Sequence, residues 1–181
     1  MPAGMRPTQN KVRKAIFDIL GDIEGLSFLE LFAGSGAVGL EAASRGAKEL
    51  VLVEHSRDCL AALRMNIAAL KPADCSVYPF EAERAIKMLH SHKRAFDIIF
   101  MDPPYYRDAA KKTLQIIGAY DIVPRYGLVV AQHFKKDTLP DALGDLHLLR
   151  QFHYGDTVLS VYRKKEQALD DVSKSDLPRQ F

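Results

Sequence analysis

The sequence predicts an α/β fold with a seven-stranded, mostly parallel sheet, helices on both faces and a C-terminal antiparallel hairpin. Three observations support this prediction. Short apolar stretches alternate with stretches of helical periodicity along the chain. The early apolar stretches are continuous, as strands buried on both faces are. The last two predicted strands are separated only by the turn Tyr154-Gly155-Asp156, which is too short for a parallel crossover.

The predicted elements follow one another in a regular order. The first is a helix over 9–20, because Val12, Ile16 and Ile19 share one face and Thr8 can cap the N-terminus. The predicted strands are 27–33, 48–54, 75–79, 96–101, 126–132, 146–154 and 156–163. The predicted helices between the earlier strands are 37–45, 57–70, 81–91 and 108–119.

Composition limits the class of protein. At 181 residues the chain is long enough for one domain with a real core, which we expect over 1–163. Charged and small polar residues dominate after it, so 164–181 is expected to be a disordered tail. No apolar run reaches the length of a membrane span and no signal peptide is visible, which predicts a cytoplasmic protein without membrane contact.

Cysteine and histidine usage predicts neither disulfides nor a metal site. Cys59 and Cys75 form no cluster and are expected to be reduced thiols. No group of His, Cys and Asp residues has metal-ligand spacing. The net charge of +2 neither requires nor excludes a nucleic-acid partner.

A glycine-rich turn follows the first predicted strand. The residues Gly34-Ser35-Gly36-Ala37-Val38-Gly39 have the spacing of a dinucleotide-binding turn, although a tight packing turn would look the same. Glu30 lies four residues before Gly34, near the ligand end of the strand. Its carboxylate would repel a pyrophosphate but attract an ammonium and a sulfonium. S-adenosylmethionine (SAM) carries both groups, and a helix N-terminus can receive its carboxylate.

A second acid ends the next apolar run. Glu54 follows 50–53 and can accept hydrogen bonds from the two hydroxyls of a ribose. Without the glycine turn, an exposed charge at the end of a strand would be the preferred interpretation.

The segment Asp102-Pro103-Pro104-Tyr105 follows the buried strand over 96–101. Proline donates no backbone hydrogen bond, so the two prolines end the pairing of the strand. The stiff turn exposes carbonyl groups beside a carboxylate and a ring, which suits a flat, nitrogen-bearing group such as a nucleobase. Pro-Pro is also a common terminator of strands. In such sheets ligands bind beyond the carboxyl ends of the strands, where Glu30, the glycine turn, Glu54 and Asp102 all lie.

These residues resemble a known class. The stretch from Glu30 to Gly39, Glu54, and the segment from Asp102 to Tyr105 resemble the class I SAM-dependent methyltransferases, whose fold is Rossmann-like. A closer resemblance, over 6–163, is to the 16S ribosomal RNA guanine-N2 methyltransferases of the RsmD type. It is carried by Arg6-Pro7-Thr8, Val12-Arg13, the run from Phe32 to Ala42, and Tyr154-Gly155-Asp156-Thr157. The chain departs from that family at Gln132, where a glutamate is expected.

The resemblance implies the reaction and the roles of residues. A methyl group would move from SAM to the exocyclic N2 amine of a guanine, in 16S rRNA or the small ribosomal subunit, and the enzyme is expected to be a monomer. The implied catalytic residues are Asp102, Pro103, Pro104 and Tyr105. The implied cofactor-binding residues are Glu30, Phe32, Ala33, Gly34, Gly36, Glu54, His55, Glu81, Ala82 and Asp102. Glu81, near the adenine amine by resemblance, could equally be an acid favoured by a helix N-terminus.

Contact with RNA is predicted at the rim of the active site, around the carboxyl ends of the strands. Its candidate residues are Arg6, Thr8, Arg107, Lys111 and Lys135, with Lys112 and Lys136 beside them. Helix capping and simple solvation explain the first two nearly as well, and solvated helix faces are the usual explanation of charge runs.

Two other classes of function stay open at this point. The first is an amino-methyltransferase acting on adenine in DNA or RNA, or on a protein glutamine, since those enzymes use similar motifs. A DNA enzyme would be expected to carry an added target-recognition region, for which 181 residues leave little room. The second is an NAD-binding or non-enzymatic Rossmann domain, which Glu30 and the Asp-Pro-Pro-Tyr turn argue against.

Overall fold

The computed structural model describes residues 10–105 and 108–165 of the chain. The strands are β1 (Ser27–Leu31), β2 (Glu49–Val53), β3 (Cys75–Tyr78), β4 (Ile98–Met101), β5 (Leu128–Phe134), β6 (Ala142–Leu143), β7 (Leu146–Tyr154) and β8 (Thr157–Lys164). The helices are α1 (Asn10–Leu20), α2 (Ala37–Ser44), α3 (Arg57–Leu70), α4 (Ala82–Ser91) and α5 (Ala109–Ala119).

The strands form one eight-stranded sheet in the order β3-β2-β1-β4-β5-β8-β7-β6. Strands β1 to β5 pair in parallel, whereas β8 is antiparallel to both β5 and β7. The chain runs outward from β1 to β3 and then returns to place β4 on the other side of β1. The strand order therefore reverses between β1 and β4, and a crevice for ligands is expected at their carboxyl ends.

Alternating side chains divide the core between the two faces of the sheet. On one face Leu29, Val51 and Ile99 pack with residues of α4 and α5. On the other face Leu52 and Phe100 pack with residues of α1, α2 and α3. The same alternation assigns Glu30, Glu54, Asp102 and Gln132 to this second face. The acidic residues of the candidate site thus share one side of the sheet.

The predicted order of helices and strands is confirmed, with two corrections. The prediction of seven strands is wrong, because β6 adds an eighth; its two residues are too few to leave a periodic pattern. The expected start of the tail at Lys164 is also wrong, because this lysine is the last residue of β8 and forms an ion pair with Asp121. Thr8 and residues 166–181 lie outside the described residues.

Two further expectations concern thiols and membranes. Cys59 and Cys75 are both free cysteines. Within 10–105 and 108–165, every helix is too short or too polar to cross a bilayer.

Candidate active site

The glycine turn connects β1 to α2 in an unusual backbone conformation. Phe32 (φ 61°), Gly34 (φ 56°) and Gly36 (φ 78°) are all left-handed. For a phenylalanine this region is unfavourable, and such strain collects at functional sites. A Cβ on Gly36 would lie 2.4 Å from Leu63 Cδ1, so the turn packs too closely on α3 for a side chain. A Cβ on Gly34 would meet no atom within 4 Å, which leaves open space beside this part of the turn.

Glu30 is buried behind the turn. Its Oε2 accepts a hydrogen bond from the Gly39 N–H at 2.8 Å, in the first turns of α2. A Cβ on Gly39 would lie 2.7 Å from this oxygen and 2.5 Å from Leu52 Cδ2, which explains the third glycine of the motif. Burial raises the pKa of Glu30 to about 8; the Gly39 N–H lowers it, and the charge of Asp102 raises it.

Glu54 connects the end of β2 to the glycine turn. Its Oε2 accepts from the Gly34 N–H at 2.8 Å, and its Oε1 accepts from the N–H groups of His55 and Ser56, each at 2.8 Å. The residue as a whole is 7% exposed. Since an ionised carboxylate has about four acceptor positions, roughly one remains for a ligand hydroxyl.

His55 brings a further acid to this rim. Its Nδ1 lies 3.7 Å from Glu54 Oε1 and its Nε2 lies 3.5 Å from Glu81 Oε1. Glu81 precedes α4, whose first residue, Ala82, is buried. The structure thus brings together Glu54, predicted at the ribose, and Glu81, predicted at the adenine. Ala33 lies beside them, because its backbone N–H donates to the Val53 carbonyl oxygen at 2.9 Å.

Asp102 lies immediately beyond β4, between the ends of β1 and β5. Its backbone N–H is 3.5 Å from the Leu31 carbonyl oxygen, which continues the pairing with β1. Burial raises the pKa of the carboxyl to about 7, and a hydrogen bond from the Gln132 side chain lowers it. Pro103 is buried and Pro104 is exposed.

Tyr105 is held by the last strands of the sheet. Its hydroxyl oxygen lies 3.2 Å from Thr157 Oγ1, at the start of β8. Its ring centroid lies 5.9 Å from that of Phe134, at the end of β5, with the planes tilted by 36°. The turn between β7 and β8 therefore borders the Asp-Pro-Pro-Tyr segment.

Three contacts of this site were missed by the sequence reasoning. Gln132 was noted only as a departure from the family, and Thr157 only as part of a segment that matches the family. No contact was predicted for either residue. Phe134 was not singled out at all. The register between β4 and β5 was the available signal for Gln132, because the position after Met101 must face the position after Ala131.

The predicted RNA-binding residues are only partly described. Lys111 and Lys112 are exposed at the start of α5, and Lys136 is exposed just after β5. Lys135 Nζ lies 2.7 Å from Asp156 Oδ1, in the turn between β7 and β8. Arg6, Thr8 and Arg107 lie outside the described residues.

The charge of the site is one-sided. Glu30, Glu54 and Asp102 all lie at the strand ends, and among the described residues no lysine or arginine forms an ion pair with any of them. In the same part of the chain no group of three or more His, Cys, Asp or Glu residues could hold a metal ion. An acidic site with open space beside Gly34 fits a cationic, ribose-bearing ligand such as SAM and disfavours a diphosphate.

The strand order of this sheet reverses between β1 and β4, where the Asp-Pro-Pro-Tyr turn and the glycine turn with its acidic neighbours lie at the carboxyl ends of the strands. This combination defines a class I SAM-dependent methyltransferase with a Rossmann-like sheet. Within that class, the chain belongs to the family described as "Conserved hypothetical protein 95", whose model it matches over residues 1–163.

Similar proteins support this assignment. The Bacillus subtilis protein named "Putative rRNA methyltransferase YlbH" is 35% identical over 162 residues, covering 88% of each chain. "Ribosomal RNA small subunit methyltransferase D" of Escherichia coli is 30% identical over 170 residues, covering 93% of this chain and 84% of its own. The solved structure of a hypothetical protein from a Thermus species is 33% identical, with a TM-score of 0.77, and covers 89% of this chain and 90% of its own.

Proposed function

We propose that this enzyme transfers a methyl group from SAM to the exocyclic N2 amine of a guanine in 16S rRNA, as free RNA or in the small ribosomal subunit. The observation that carries the proposal is the placement of Asp102 beside Tyr105 at the switch point of the sheet, in a chain whose relatives include proteins named as ribosomal RNA methyltransferases. We also propose that it acts in the cytoplasm, because a ribosomal substrate is present there. We further propose that it acts as a monomer.

The acceptor amine is a poor nucleophile because its lone pair is delocalised into the purine ring. Asp102 and the Pro103 carbonyl would accept its two N–H groups, which favours a pyramidal nitrogen with an available lone pair. A carboxyl with a pKa of about 7 is partly ionised at neutral pH and can take the proton that the amine loses. These contacts strengthen mainly as the transition state forms, so they act on the turnover number.

Tyr105 would support the flipped-out guanine by stacking. Its ring is fixed from one side by Phe134 and its hydroxyl by Thr157, so little side-chain freedom is lost when a base binds. The same contacts place the ring at a defined position relative to Asp102. Correct placement of the amine would supply much of the rate acceleration, because methyl transfer requires the amine nitrogen, the methyl carbon and the sulfur to lie in line.

When bound, SAM supplies an electrophilic methyl group on a positively charged sulfur. Glu54 would accept from one of its ribose hydroxyls, using the acceptor position that the three backbone N–H groups leave. Glu30 would keep α2 and the glycine turn in place through its hydrogen bond with the Gly39 N–H. Lys111, Lys112 and Lys136 would meet phosphates of the RNA at the rim.

The test is methylation of defined RNA. The enzyme is incubated with labelled SAM and with 16S rRNA or small subunits from a strain that lacks the corresponding gene, and the nucleosides are separated by mass spectrometry. We expect N2-methylguanosine in 16S rRNA, and at least about 100-fold slower formation of this product with the Asp102→Asn enzyme. Label in N6-methyladenosine or in protein would overturn the proposal, and so would the absence of label from both 16S rRNA and small subunits.

A further inference from the structure

Gln132 is a buried polar residue at the edge of the site. It is 5% exposed and belongs to β5. Met101 of β4 pairs with Ala131 of β5, so the next residues along the two parallel strands are Asp102 and Gln132. The two side chains therefore start from neighbouring positions on the same face of the sheet.

The two ends of the Gln132 amide are in different situations. The Gln132 side chain lowers the pKa of Asp102. Since an ionised carboxylate can only accept, the amide N–H is the end that would donate to it. Its Oε1 is buried and has no hydrogen-bond partner, the single such side-chain atom found within 10–105 and 108–165. A buried polar atom without a partner costs about 1–3 kcal/mol.

The neighbouring residue shows that this strand can satisfy buried polar groups. His133 points to the opposite face, where its Nε2 lies 2.7 Å from Ser160 Oγ and its Nδ1 lies 3.0 Å from the Phe134 carbonyl oxygen. Ser160 Oγ also accepts from Gln151 Nε2 at 2.9 Å. A purely structural polar group on β5 is thus fully bonded, whereas Gln132 leaves one end unbonded. An unsatisfied buried atom of this kind calls for a functional explanation.

We propose that Gln132 is a positioning residue for Asp102. The amide N–H of Gln132 holds the Asp102 carboxylate in the orientation in which it accepts a hydrogen bond from the amine of the substrate. This inference rests on the proposed function. Gln132 acts from β5, opposite the carboxylates of Glu30 on β1 and Glu54 after β2, and Tyr105 follows Asp102 in the turn. Because the amide is a neutral donor, it can hold Asp102 without neutralising it.

The central variant is Gln132→Leu, which removes the N–H donor and the unbonded Oε1 together at similar volume. We expect the turnover number to fall about tenfold or more, as for a lost hydrogen bond to a charged group. The KM for RNA and the Kd for SAM should stay within about twofold, since neither ligand loses a contact. The acid limb of the pH profile should move to higher pH, because Asp102 loses the donor that lowers its pKa.

Stability separates positioning from structure. The Gln132→Leu protein should unfold at the same temperature as the wild type or higher, since an unsatisfied buried atom is gone. The control is Gln151→Leu, the same chemical change at an exposed position of β7, which removes only the hydrogen bond to Ser160 Oγ and should leave the pH profile unmoved. A less stable Gln132→Leu protein whose pH profile is unmoved would overturn the proposal.

A second variant and a second measurement keep the inference separate from the function. Gln132→Glu places another carboxylate beside Asp102 and should move the acid limb further in the same direction. Carboxyl-carbon NMR titration of ligand-free protein should show a raised Asp102 pKa in both variants. An unchanged titration contradicts the role of Gln132. A changed titration together with no methyl transfer by the wild type contradicts the proposed function and leaves the contact to Asp102 established.

Discussion

Carboxylates lie at both edges of the parallel sheet, one formed by the amino ends of the strands and the other by their carboxyl ends. Their surroundings differ between the two edges, and strand β4 has one carboxylate at each. Just before it, Asp97 Oδ2 accepts from the Ser27 N–H at 2.9 Å and from Ser27 Oγ at 2.7 Å, with Lys48 Nζ at 3.8 Å. Although burial opposes it, these partners hold the pKa of Asp97 below its usual range. Just beyond the same strand, burial raises the pKa of Asp102 to about 7.

The neighbouring strands repeat the pattern. At the start of β2, Glu49 forms an ion pair with Arg94. At its other end Glu54 receives backbone N–H groups, and Glu30 is buried with a pKa raised to about 8. One edge of the sheet thus matches its acids with cations and donors, whereas the other gathers acids without cations. The second edge is where a cationic ligand is needed, and the unfavourable charge there is typical of a functional site.

The largest expected effect separates the two ends of β4. Asp102→Asn should lower the turnover number by about 100- to 10,000-fold, the usual contribution of a general base, while the Kd for SAM changes little. Asp97→Asn should leave turnover unchanged but lower the free energy of unfolding by about 1–2 kcal/mol, because charge-assisted hydrogen bonds are lost. Single-turnover kinetics and urea unfolding measure the two effects. Equal losses of activity in both variants would erase the distinction between the edges.

The next effect is on stability as a function of pH. The pKa of Glu30 is about 8 in the folded protein against an ordinary value of 4.5, so the folded state holds this proton more tightly. Glu30 therefore weakens the fold as pH rises from about 4.5 to 8 and has a constant effect above that range. Relative to the wild type, Glu30→Gln should gain on the order of 2–4 kcal/mol between pH 4 and pH 9.

Urea unfolding at a series of pH values measures this gain. Asp97 has the opposite sign, because its lowered pKa contributes stability that is lost as pH falls through the folded-state value. Asp97→Asn should therefore lose its disadvantage at low pH. Parallel stability curves for wild type and Glu30→Gln would show that Glu30 is not desolvated in solution.

A smaller effect separates the two ends of β2. Glu54→Gln replaces an ionised acceptor by a neutral one and should weaken the binding of SAM about tenfold, since hydrogen bonds to charged groups are worth about 1.5–3 kcal/mol. Glu49→Gln, at the other end of the strand, should bind SAM like the wild type. Isothermal titration calorimetry compares them, and equal affinities would remove Glu54 from the cofactor site.

The smallest effect concerns the surface ion pair. Lys48→Ala removes an exposed charge from Asp97 and should cost less than about 0.5 kcal/mol of unfolding free energy, because exposed pairs contribute little. Ser27→Ala, which removes the hydroxyl bonded to Asp97, should cost more. Denaturant unfolding of both variants decides whether hydrogen bonds or charge pairing stabilise this edge. A larger loss from Lys48→Ala would favour charge pairing.

Much of this arrangement was predictable from the sequence. Continuous apolar runs located β1, β2 and β4. Parallel strands bring their carboxyl ends to one edge of the sheet, so Glu30 near the end of β1, Glu54 after β2 and Asp102 after β4 had to meet there. The contacts of Tyr105 with Thr157 and Phe134 were not predictable, because they depend on how β8 inserts beside β5. The orientation of the Gln132 amide was also hidden, since it is set by a partner far away in sequence.

The position of β8 has a consequence for how the enzyme is made. This strand comes late in the chain, yet it lies between β5 and β7 and supplies the threonine that contacts Tyr105. Until residues 157–164 are in place, β5 lacks its antiparallel neighbour and β7 has no strand that connects it to the parallel part of the sheet. A chain segment that already contains the glycine turn and Asp102 would therefore still lack the Thr157 contact that supports its aromatic ring until β8 is in place.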